Sequence, residues 1–284
     1  MNNFKKNITF VIVSFKSSHI IERCIRSINS NIKIIIVENS EDTKIKNYLE
    51  HKFFNVKVLI AKENLGYGKG NNLGISKVNT KYAFILNPDT ILKKNCLEEL
   101  YKALIILKDN FAILAPNSLD NYGYFSKKNN NFNKEILEVD YVKGFAMLIN
   151  LNKIKFKKIF DENFFLFLEE IDLCRRIKNR GGKIYVAEKS KVKHLAKQAS
   201  GDNLNIELCR NWHWMWSLFY YNYKHFGFLI AYKISVLKFL SSLIKLFISL
   251  IFFNEKKTLI YFYRISGLWN SFLKKPSWLR PKNI

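Results

Sequence analysis

Three carboxylates stand within four residues of one another in the second half of the chain. Glu169, Glu170 and Asp172 directly follow the aromatic run 164–167 and open a stretch with helical spacing. Carboxylates beside apolar surface tend to have raised pKa values, which suits them to general-base catalysis. Acidic side chains also stabilise the start of a helix, so helix capping is the alternative role for the cluster.

A stiff polar corner follows the apolar run 82–86, and its residues are Asn87, Pro88 and Asp89. Proline fixes its own φ and restrains the residue before it. Such a corner can hold a carboxylate against a metal ion or a phosphate, although Asn, Pro and Asp are also ordinary turn residues. His194, which follows a later strand-like run, is either a metal ligand or a structural histidine.

The elements that must position these residues alternate between strand-like and helix-like runs. Apolar runs of strand length occupy 8–15, 33–40, 56–61 and 82–87, with helical patterns between them. Later runs at 139–150, with Gly144 inside it, and at 183–187 also resemble strands. This alternation predicts an α/β fold with a mostly parallel sheet covered by helices on both faces.

Polar residues stand at the ends of three of the predicted strands. Ser14 follows the first, Glu38 the second, and Asn87 with Asp89 the fourth. The carboxyl ends of parallel strands meet at one edge, where ligands of open α/β sheets bind. We therefore expect these side chains to lie along a single binding edge.

Composition indicates a folded protein with an anionic partner. The 284 residues include 47 basic and 23 acidic side chains, for a net charge of +24. Nucleic acid, an anionic membrane and phosphorylated small molecules all fit this charge, and so does a general bias toward Lys, Asn and Ile. The four cysteines are far apart, which disfavours zinc and disulfides and favours a reducing cytoplasm. The first apolar run is short and β-branched, and predicts a strand, not a signal peptide.

The apolar segment 227–253 is long enough to span a bilayer but is interrupted by lysines. On a helical wheel, five polar residues of the segment fall in one arc: Lys238, Ser241, Ser242, Lys245 and Ser249. This pattern is typical of a helix that lies in the membrane interface, with Trp, Tyr and basic residues after it. The alternative is a helical pair that packs on the rest of the protein or on a partner subunit.

Seven stretches in this order resemble family 2 glycosyltransferases of the GT-A fold. They are VIVSF, IIIVENSEDT, ENLGYGKGNNLGI, ILNPDT, VKGFAMLIN, FDENFFLFLEEIDLCRRI and RNWHW. The resemblance covers about residues 6–215 and is strongest to the rhamnosyltransferase-like branch that builds bacterial surface polysaccharides. It implies a GT-A (Rossmann-like) domain over 1–215, and the amphipathic pattern after it predicts a helical, membrane-associating region over 216–284.

The resemblance also implies a site for a nucleotide-diphosphate sugar at the carboxyl edge of the sheet. Its residues would be Ser14, Phe15, Glu38, Asn64, Gly66, Gly70, Asn71, Asn87 and Asp89. Asn87-Pro88-Asp89 matches the family's DxD motif, whose carboxylate holds Mg²⁺ or Mn²⁺ against the diphosphate. His194 matches a histidine that helps to hold the metal in some relatives. Asn87 departs from the motif's first Asp, and Glu38 replaces a more usual Asp.

Glu169 and Glu170 match the family's paired acids, the second of which deprotonates the acceptor hydroxyl. Glu170, in place of the usual Asp, is therefore the expected base, and Asp172 is expected to orient the helix or to bind the acceptor. The implied reaction is inverting transfer, with dTDP-rhamnose as the expected donor and a glycan or polyprenyl-linked acceptor. The expected location is cytoplasmic, peripheral on the inner face of the cell membrane.

Two other functional classes remain open at this point. The charge and the aromatic stretch RNWHWMW permit nucleic-acid binding, but no helix-turn-helix, zinc or RNA-recognition signature is present and the acidic cluster opposes it. An inactive GT-A protein that acts as a scaffold is the other class, because Asn87 and Glu170 depart from the usual motifs. Release of nucleotide from a nucleotide sugar with a divalent metal would separate the enzyme from both.

Overall fold

The computed structural model describes residues 1–28, 31–119, 124–125, 130–133, 135–195 and 203–281. The chain forms two compact units. An α/β unit contains Met1–Asp161 and Glu170–Gly201, and a helical unit contains Glu162–Glu169 and Asp202–Ile284. The expected division at residues 215 and 216 stays a prediction.

The first half of the α/β unit alternates strands and helices, as predicted. Its elements are α1 (Asn2–Lys6), β1 (Ile8–Ser14), α2 (Ser18–Ser27), β2 (Lys33–Glu38), α3 (Thr43–Lys52), β3 (Val56–Ile60), α4 (Gly66–Ile75) and β4 (Tyr82–Leu86). These strands form a parallel sheet in the order β3-β2-β1-β4. Asp42 caps α3, since its Oδ1 accepts hydrogen bonds from the backbone amides of Lys44 and Ile45.

The second half extends this sheet with strands of both directions. Its elements are β5 (Thr90–Leu92), α5 (Cys96–Leu107), β6 (Ile113–Ser118), β7 (Tyr124–Phe125), β8 (Asn130–Asn133), β9 (Ile136–Glu138), β10 (Tyr141–Val142), β11 (Ala146–Asn150), α6 (Glu169–Lys178) and β12 (Ile184–His194). The sheet continues from β4 in the order β11-β6-β12-β9-β8, and β5 pairs with β12. β11 is antiparallel to β4 and β6, so the complete sheet is mixed.

Successive side chains along each strand are buried on opposite faces of the sheet. On β1, Phe10 joins a core with residues of α2, α3 and α5, and its ring stacks on Phe84 with 4.6 Å between centroids. Val11 points to the other face and joins a second core that includes Leu173 of α6. Burial of each such side chain stabilises the fold by about 1.5–3 kcal/mol, so the two-faced covering accounts for the unbroken apolar runs.

Two strand predictions differ from the structure. The run 139–150 forms two strands, β10 and β11, because Gly144 lies in the connection between them, where its carbonyl accepts a hydrogen bond from the Tyr67 hydroxyl. The strand predicted over 183–187 instead continues to His194, through an irregularity between Ala187 and Lys191. The four cysteines are all buried and free.

The helical unit is built from α7 (Leu204–Phe226), α8 (Phe228–Ile251) and α9 (Glu255–Phe272). Gly227, with φ of 81°, makes the turn between α7 and α8. α7 and α9 pack closely: a Cβ on Gly267 would stand 2.2 Å from the carbonyl oxygen of Trp212, and the Ser271 hydroxyl donates to the carbonyl of Trp216. Small residues thus set the helix spacing.

The predicted polar arc of α8 is divided in the structure. Ser242 and Ser249 are buried in the helical unit, whereas Lys238 and Lys245 are exposed among large apolar side chains. The two serines can be buried because their small side chains allow neighbouring helices to approach. Their hydroxyls donate hydrogen bonds to backbone carbonyls of α8 itself. Among the described residues, α8 is the one helix long and apolar enough to cross a membrane, by length and composition alone.

Candidate functional site

Ser14 and Glu38 lie side by side at the carboxyl edge of the parallel strands. They end β1 and β2 and are register partners in that pair. Glu38 is buried, and its Oε1 accepts hydrogen bonds from the backbone amide and the hydroxyl of Ser40. Burial raises the pKa of Glu38, and the bonds from Ser40 oppose that rise. The hydroxyl of Ser40 in turn accepts from the amide of Lys16, which ties the loop after β1 to β2.

Phe15 follows Ser14 in this loop and is partly exposed. Its backbone amide donates to the hydroxyl of Ser17, and the next residue, Lys16, adopts a left-handed conformation with φ of 53°. The loop therefore turns sharply at the sheet edge and leaves an aromatic ring there.

The start of α4 is organised by two asparagines. The Asn64 Oδ1 accepts from the Gly66 amide at 3.0 Å, and the Asn39 Nδ2 donates to the Gly66 carbonyl at 3.1 Å. Gly70 faces β1, where a Cβ would stand 3.0 Å from Cγ1 of Val13. The glycine thus permits close packing of helix on strand, a role that the sequence alone did not distinguish from contact with a ligand.

Asn71 lies next to this packing face and is completely buried. Its Nδ2 donates to the carbonyl of Tyr67, one turn earlier in α4, at 3.0 Å. The structure thus places Asn71 inside the helix-to-sheet layer, on the same helix as Gly66 and Gly70.

Asp89 occupies the expected corner after β4 and is 2% exposed. The amide of Thr90 donates to the carbonyl of Asn87, which closes the turn, and the amide of Asn87 donates to the carbonyl of Phe145. The Asp89 Oδ1 lies 3.4 Å from the His194 Nε2 and makes no hydrogen bond within the described part of the chain. A buried carboxylate oxygen without a hydrogen bond is costly, which makes this atom a candidate ligand position.

His194 reaches Asp89 through strand pairing. β5 and β12 are antiparallel, and Thr90 is the register partner of His194. The imidazole stacks on the ring of Phe145, with 4.6 Å between centroids and 16° between planes. Strand register and stacking together direct the Nε2 toward the carboxylate.

The donor set fits a hard divalent cation only in part. Among the described residues, no three His, Cys, Asp or Glu side chains converge on one point. Asp89 offers an oxygen and His194 a nitrogen, a pair that suits Mg²⁺ or Mn²⁺ when oxygens of phosphate and water complete the shell. The orphaned Asp89 oxygen is the observation that makes the pair compatible with a metal.

Glu169 and Glu170 are the first two residues of α6. Glu169 is buried and Glu170 is half-buried. Gly144 leaves room beside Glu170, because a Cβ there would lie 3.5 Å from the Glu170 Cβ. Desolvation raises the pKa of Glu170, and the positive charge of Lys143 opposes the shift. A carboxylate with a raised pKa is the stronger base.

Asp172 forms a buried ion pair within α6. It is fully buried, and its Oδ2 lies 2.7 Å from the Nε of Arg176. Arg176 also packs over the ring of Phe156 and donates to the carbonyl of Ile159. This arrangement anchors α6, which agrees with the helix-orienting alternative for Asp172.

The sequence patterns did not predict that three further residues lie near the acids: Tyr67, Lys143 and Gly144. The Tyr67 hydroxyl is bonded to the Gly144 carbonyl and lies against the position of its absent Cβ. The glycine in VKGFAM and the tyrosine between glycines in GYG were the available signals. Neither signal indicated that the two residues meet.

The chain is similar in sequence to known glycosyltransferases. The profile described as Glycosyl transferase family 2 matches residues 9–168, more than half of the chain. The low-salt glycan biosynthesis hexosyltransferase Agl10 of Haloferax volcanii is 25% identical over 195 residues, which is 60% of this chain and 61% of that protein. Rhamnosyltransferase WbbL of Escherichia coli K12 is 23% identical over 208 residues, 62% of this chain and 78% of WbbL. The chain thus spans about three fifths of the length of Agl10.

Solved structures show the same fold at low identity. The mannosyltransferase PcManGT of Pyrobaculum calidifontis, in complex with GDP-Man and Mn²⁺, has a TM-score of 0.58 and 9% identity, over 95% of this chain and 88% of that one. GalNAc-T7, with UDP, GalNAc and Mn²⁺, has a TM-score of 0.56 and 16% identity, over 66% of this chain and 43% of that one. The predicted GT-A fold and the family resemblance are both confirmed: the chain belongs to glycosyl transferase family 2.

Proposed function

We propose that this chain is an inverting glycosyltransferase that moves a sugar from a nucleotide-diphosphate donor to a glycan or lipid-linked acceptor. The observation that carries the proposal is the buried Asp89 carboxylate, which has His194 beside it and an oxygen with no hydrogen-bond donor. It lies at the end of β4, on a sheet whose parallel strands end in Ser14 and Glu38. Family membership supports the reaction class.

Asp89 and His194 would hold Mg²⁺ or Mn²⁺, which when bound neutralises charge on the leaving diphosphate. Asn87 lacks a carboxylate, so Asp89 alone supplies anionic charge at this corner. The nucleotide would lie along Ser14, Phe15, Glu38, Asn64, Gly66, Gly70 and Asn71. The related structures were solved with Mn²⁺ and with GDP-Man in one case and UDP and GalNAc in the other, which supports a metal and a donor of this class.

Glu170 would act as the general base. The acceptor oxygen attacks C1 of the sugar as the bond from C1 to the diphosphate oxygen breaks, and the carboxylate takes the hydroxyl proton. Attack opposite the leaving group inverts C1, through a transition state with oxocarbenium character. Glu169 is the second member of the pair, and Asp172 orients α6 through Arg176.

We infer L-rhamnose from dTDP-rhamnose as the donor, and synthesis of cell-surface polysaccharide, such as O-antigen, as the setting. The rhamnosyltransferase and glycan-biosynthesis names of the two sequence relatives support this choice. A hexose from a UDP- or GDP-linked donor is the competing possibility.

The outward face of α8 supports attachment to the inner face of the cell membrane from the cytoplasm. Large apolar side chains there are widely exposed, such as Leu229 at 73% and Leu237 at 70%, beside the exposed Lys233 and Lys238. An apolar stripe with lysines suits an anionic lipid interface. A lipid-linked acceptor would be presented at that interface.

A donor panel tests the proposal. The protein is incubated with dTDP-, UDP- and GDP-sugars and Mn²⁺, and nucleotide release and thermal stabilisation are measured. A donor should raise the melting temperature and be cleaved slowly even without acceptor. Stabilisation without turnover for any donor and acceptor would favour the inactive scaffold, and binding of nucleic acid alone would favour the third class.

A further inference from the structure

The segment that leads into the acid pair has a strained backbone. Residues 162–169, here called the acid-bearing segment, belong to the helical unit and end at Glu169. Phe167 and Leu168 have φ values of 72° and 69°, a left-handed conformation that residues with a Cβ avoid. Consecutive residues persist there only where the surrounding structure holds them.

Helix α7 holds the segment from one side. The buried Ser217 hydroxyl donates to the carbonyl of Leu166 at 2.8 Å. The Phe164 ring meets the Tyr220 ring edge to face, with 4.9 Å between centroids, and Phe167 contacts Trp214 in the same way. These contacts fix both the backbone and the side chains before Leu168.

The C-terminal tail, residues 273–281, also contacts the acid-bearing segment. The Ser277 hydroxyl donates to the carbonyl of Asn163. The guanidinium of Arg280 lies over the Phe165 ring, 4.0 Å from its centroid. A planar cation on an aromatic face binds it with defined geometry.

The tail is itself anchored to α7. The His213 Nε2 lies 2.8 Å from the carbonyl oxygen of Leu279, and the imidazole packs on Phe165 with 4.5 Å between centroids. Burial lowers the pKa of His213 to about 3, so the ring is neutral near pH 7 and Nε2 carries the proton that it donates. The indole of Trp216 also donates to the carbonyl of Lys275.

We propose that the C-terminal tail is a positioning element for catalysis. Ser277 and Arg280 hold the acid-bearing segment, and the segment in turn fixes the backbone at the start of α6, where Glu169 and Glu170 lie. The proposal rests on the proposed function for the role of Glu170. Ser277 and Arg280, here called the clamp, contact the acid-bearing segment and not the reacting atoms, so they are positioning residues.

The test combines hydrogen exchange with kinetics on the full chain. In Ser277→Ala and Arg280→Ala, amides of 162–169 should exchange about fivefold faster, as for loss of one net hydrogen bond. The kcat should fall about 10- to 100-fold, the cost of a small misplacement, while KM for the donor stays within about twofold. Ser277→Thr, which keeps the hydroxyl, should restore both.

Ser242→Ala is the matched control, because it also removes a hydrogen bond from a buried serine to a backbone carbonyl, that of Lys238, within α8 and not on α7 or the tail. It should change neither exchange in 162–169 nor kcat. Unchanged exchange in the clamp variants would overturn the clamp, and faster exchange with full kcat would overturn its catalytic role. If the wild type turns over no donor, the proposed function fails and exchange alone decides the clamp.

Discussion

At the scale of single residues, the central feature is a buried carboxylate with one oxygen that makes no hydrogen bond. Asp89 is 2% exposed, and the His194 Nε2 stands 3.4 Å from its Oδ1. By contrast, the buried carboxylate of Asp172 forms an ion pair with Arg176. Because a buried carboxylate oxygen without a hydrogen bond destabilises a fold, its presence at a sheet edge makes Asp89 a candidate ligand residue.

The first residue-scale prediction concerns this corner. Asp89→Ala should abolish metal-dependent binding of a nucleotide diphosphate, because the anionic ligand is gone, and Asn87→Ala should weaken it less. Isothermal titration with and without Mn²⁺ measures both. Sugar transfer at the wild-type rate by Asp89→Ala would refute the metal assignment.

The second concerns the base. Glu170→Gln keeps the shape of the side chain and removes its basicity, so transfer should fall about 10²–10⁴-fold with little change in donor binding. Lys143→Gln removes the charge that opposes the raised pKa of Glu170. The pKa should then rise further, which moves the acid limb of the pH–rate profile to higher pH.

Two acids serve as controls for this prediction. Glu169→Gln should retain more transfer than Glu170→Gln. Asp172→Asn should lower the melting temperature more than the rate, because it breaks the buried pair with Arg176. Loss of transfer in either control while Glu170→Gln stays active would reassign the base.

At the scale of elements, the helices are spaced by residues that lack bulk. α4 lies so close to β1 that a Cβ on Gly74 would stand 2.4 Å from Cγ1 of Val11. The same device spaces α9 from α7 at Gly267. Glycine is therefore required here by packing, although a glycine-rich helix start also suits a phosphate ligand.

Gly74→Ala should destabilise the protein by about 1–3 kcal/mol, the usual cost of overpacking. Chemical denaturation measures the loss. Lys69→Ala in the same helix is the control, because it removes only an exposed ion pair with Glu63 and should cost less than about 1 kcal/mol. Equal stability of Gly74→Ala and wild type would mean that α4 shifts freely on the sheet.

Helix α7 should confer acid sensitivity through His213. Burial lowers the pKa of His213 from 6.5 to about 3, so in acid the unfolded state binds a proton that the folded state does not. Stability should therefore be unaffected above about pH 6.5 and fall as the pH drops from there toward about 3, by up to about 1.4 kcal/mol per pH unit. His213→Gln should flatten that decline in denaturation curves from pH 7 to 4; an unchanged slope would show that other groups cause it.

At the scale of the whole molecule, charge and apolar surface point to an anionic interface. The net charge is +24, and large apolar side chains of α8 face outward around exposed lysines. Small residues of the same helix, Ala231, Ser235, Ser242 and Ser249, face inward. Small residues inside and large apolar residues outside are typical of helices surrounded by lipid.

The protein should therefore sediment with anionic vesicles and be partly released by salt. Leu237→Glu and Phe247→Glu, on the exposed face of α8, should each weaken binding at least about tenfold, given about 1.5–3 kcal/mol for burial of such a side chain. Ile105→Glu on α5, which is 54% exposed, is the matched control. Equal loss in all three variants, or no vesicle binding at low salt, would favour packing against a partner; release by detergent alone would favour a spanning helix.

The sequence alone determined the class of fold and the edge that carries the candidate site. Unbroken apolar runs separated by helical patterns are local signals, and β1 to β4 formed where those runs lie. Because parallel strands share one carboxyl edge, the neighbouring positions of Ser14 and Glu38, and the corner at Asp89, followed from the order of the elements. The length of the apolar run in α8 was also predictable from the sequence, because such a run is a local signal.

Tertiary structure decided what depends on pairing between distant segments. The proximity of His194 to Asp89 requires β12 to pair with β5, and no local pattern specifies that register. The ion pair of Asp172 and the inward turn of the serines in α8 likewise depend on neighbours that only the fold brings close. Local periodicity records which faces are apolar, whereas the choice of partner is set by packing over the whole chain.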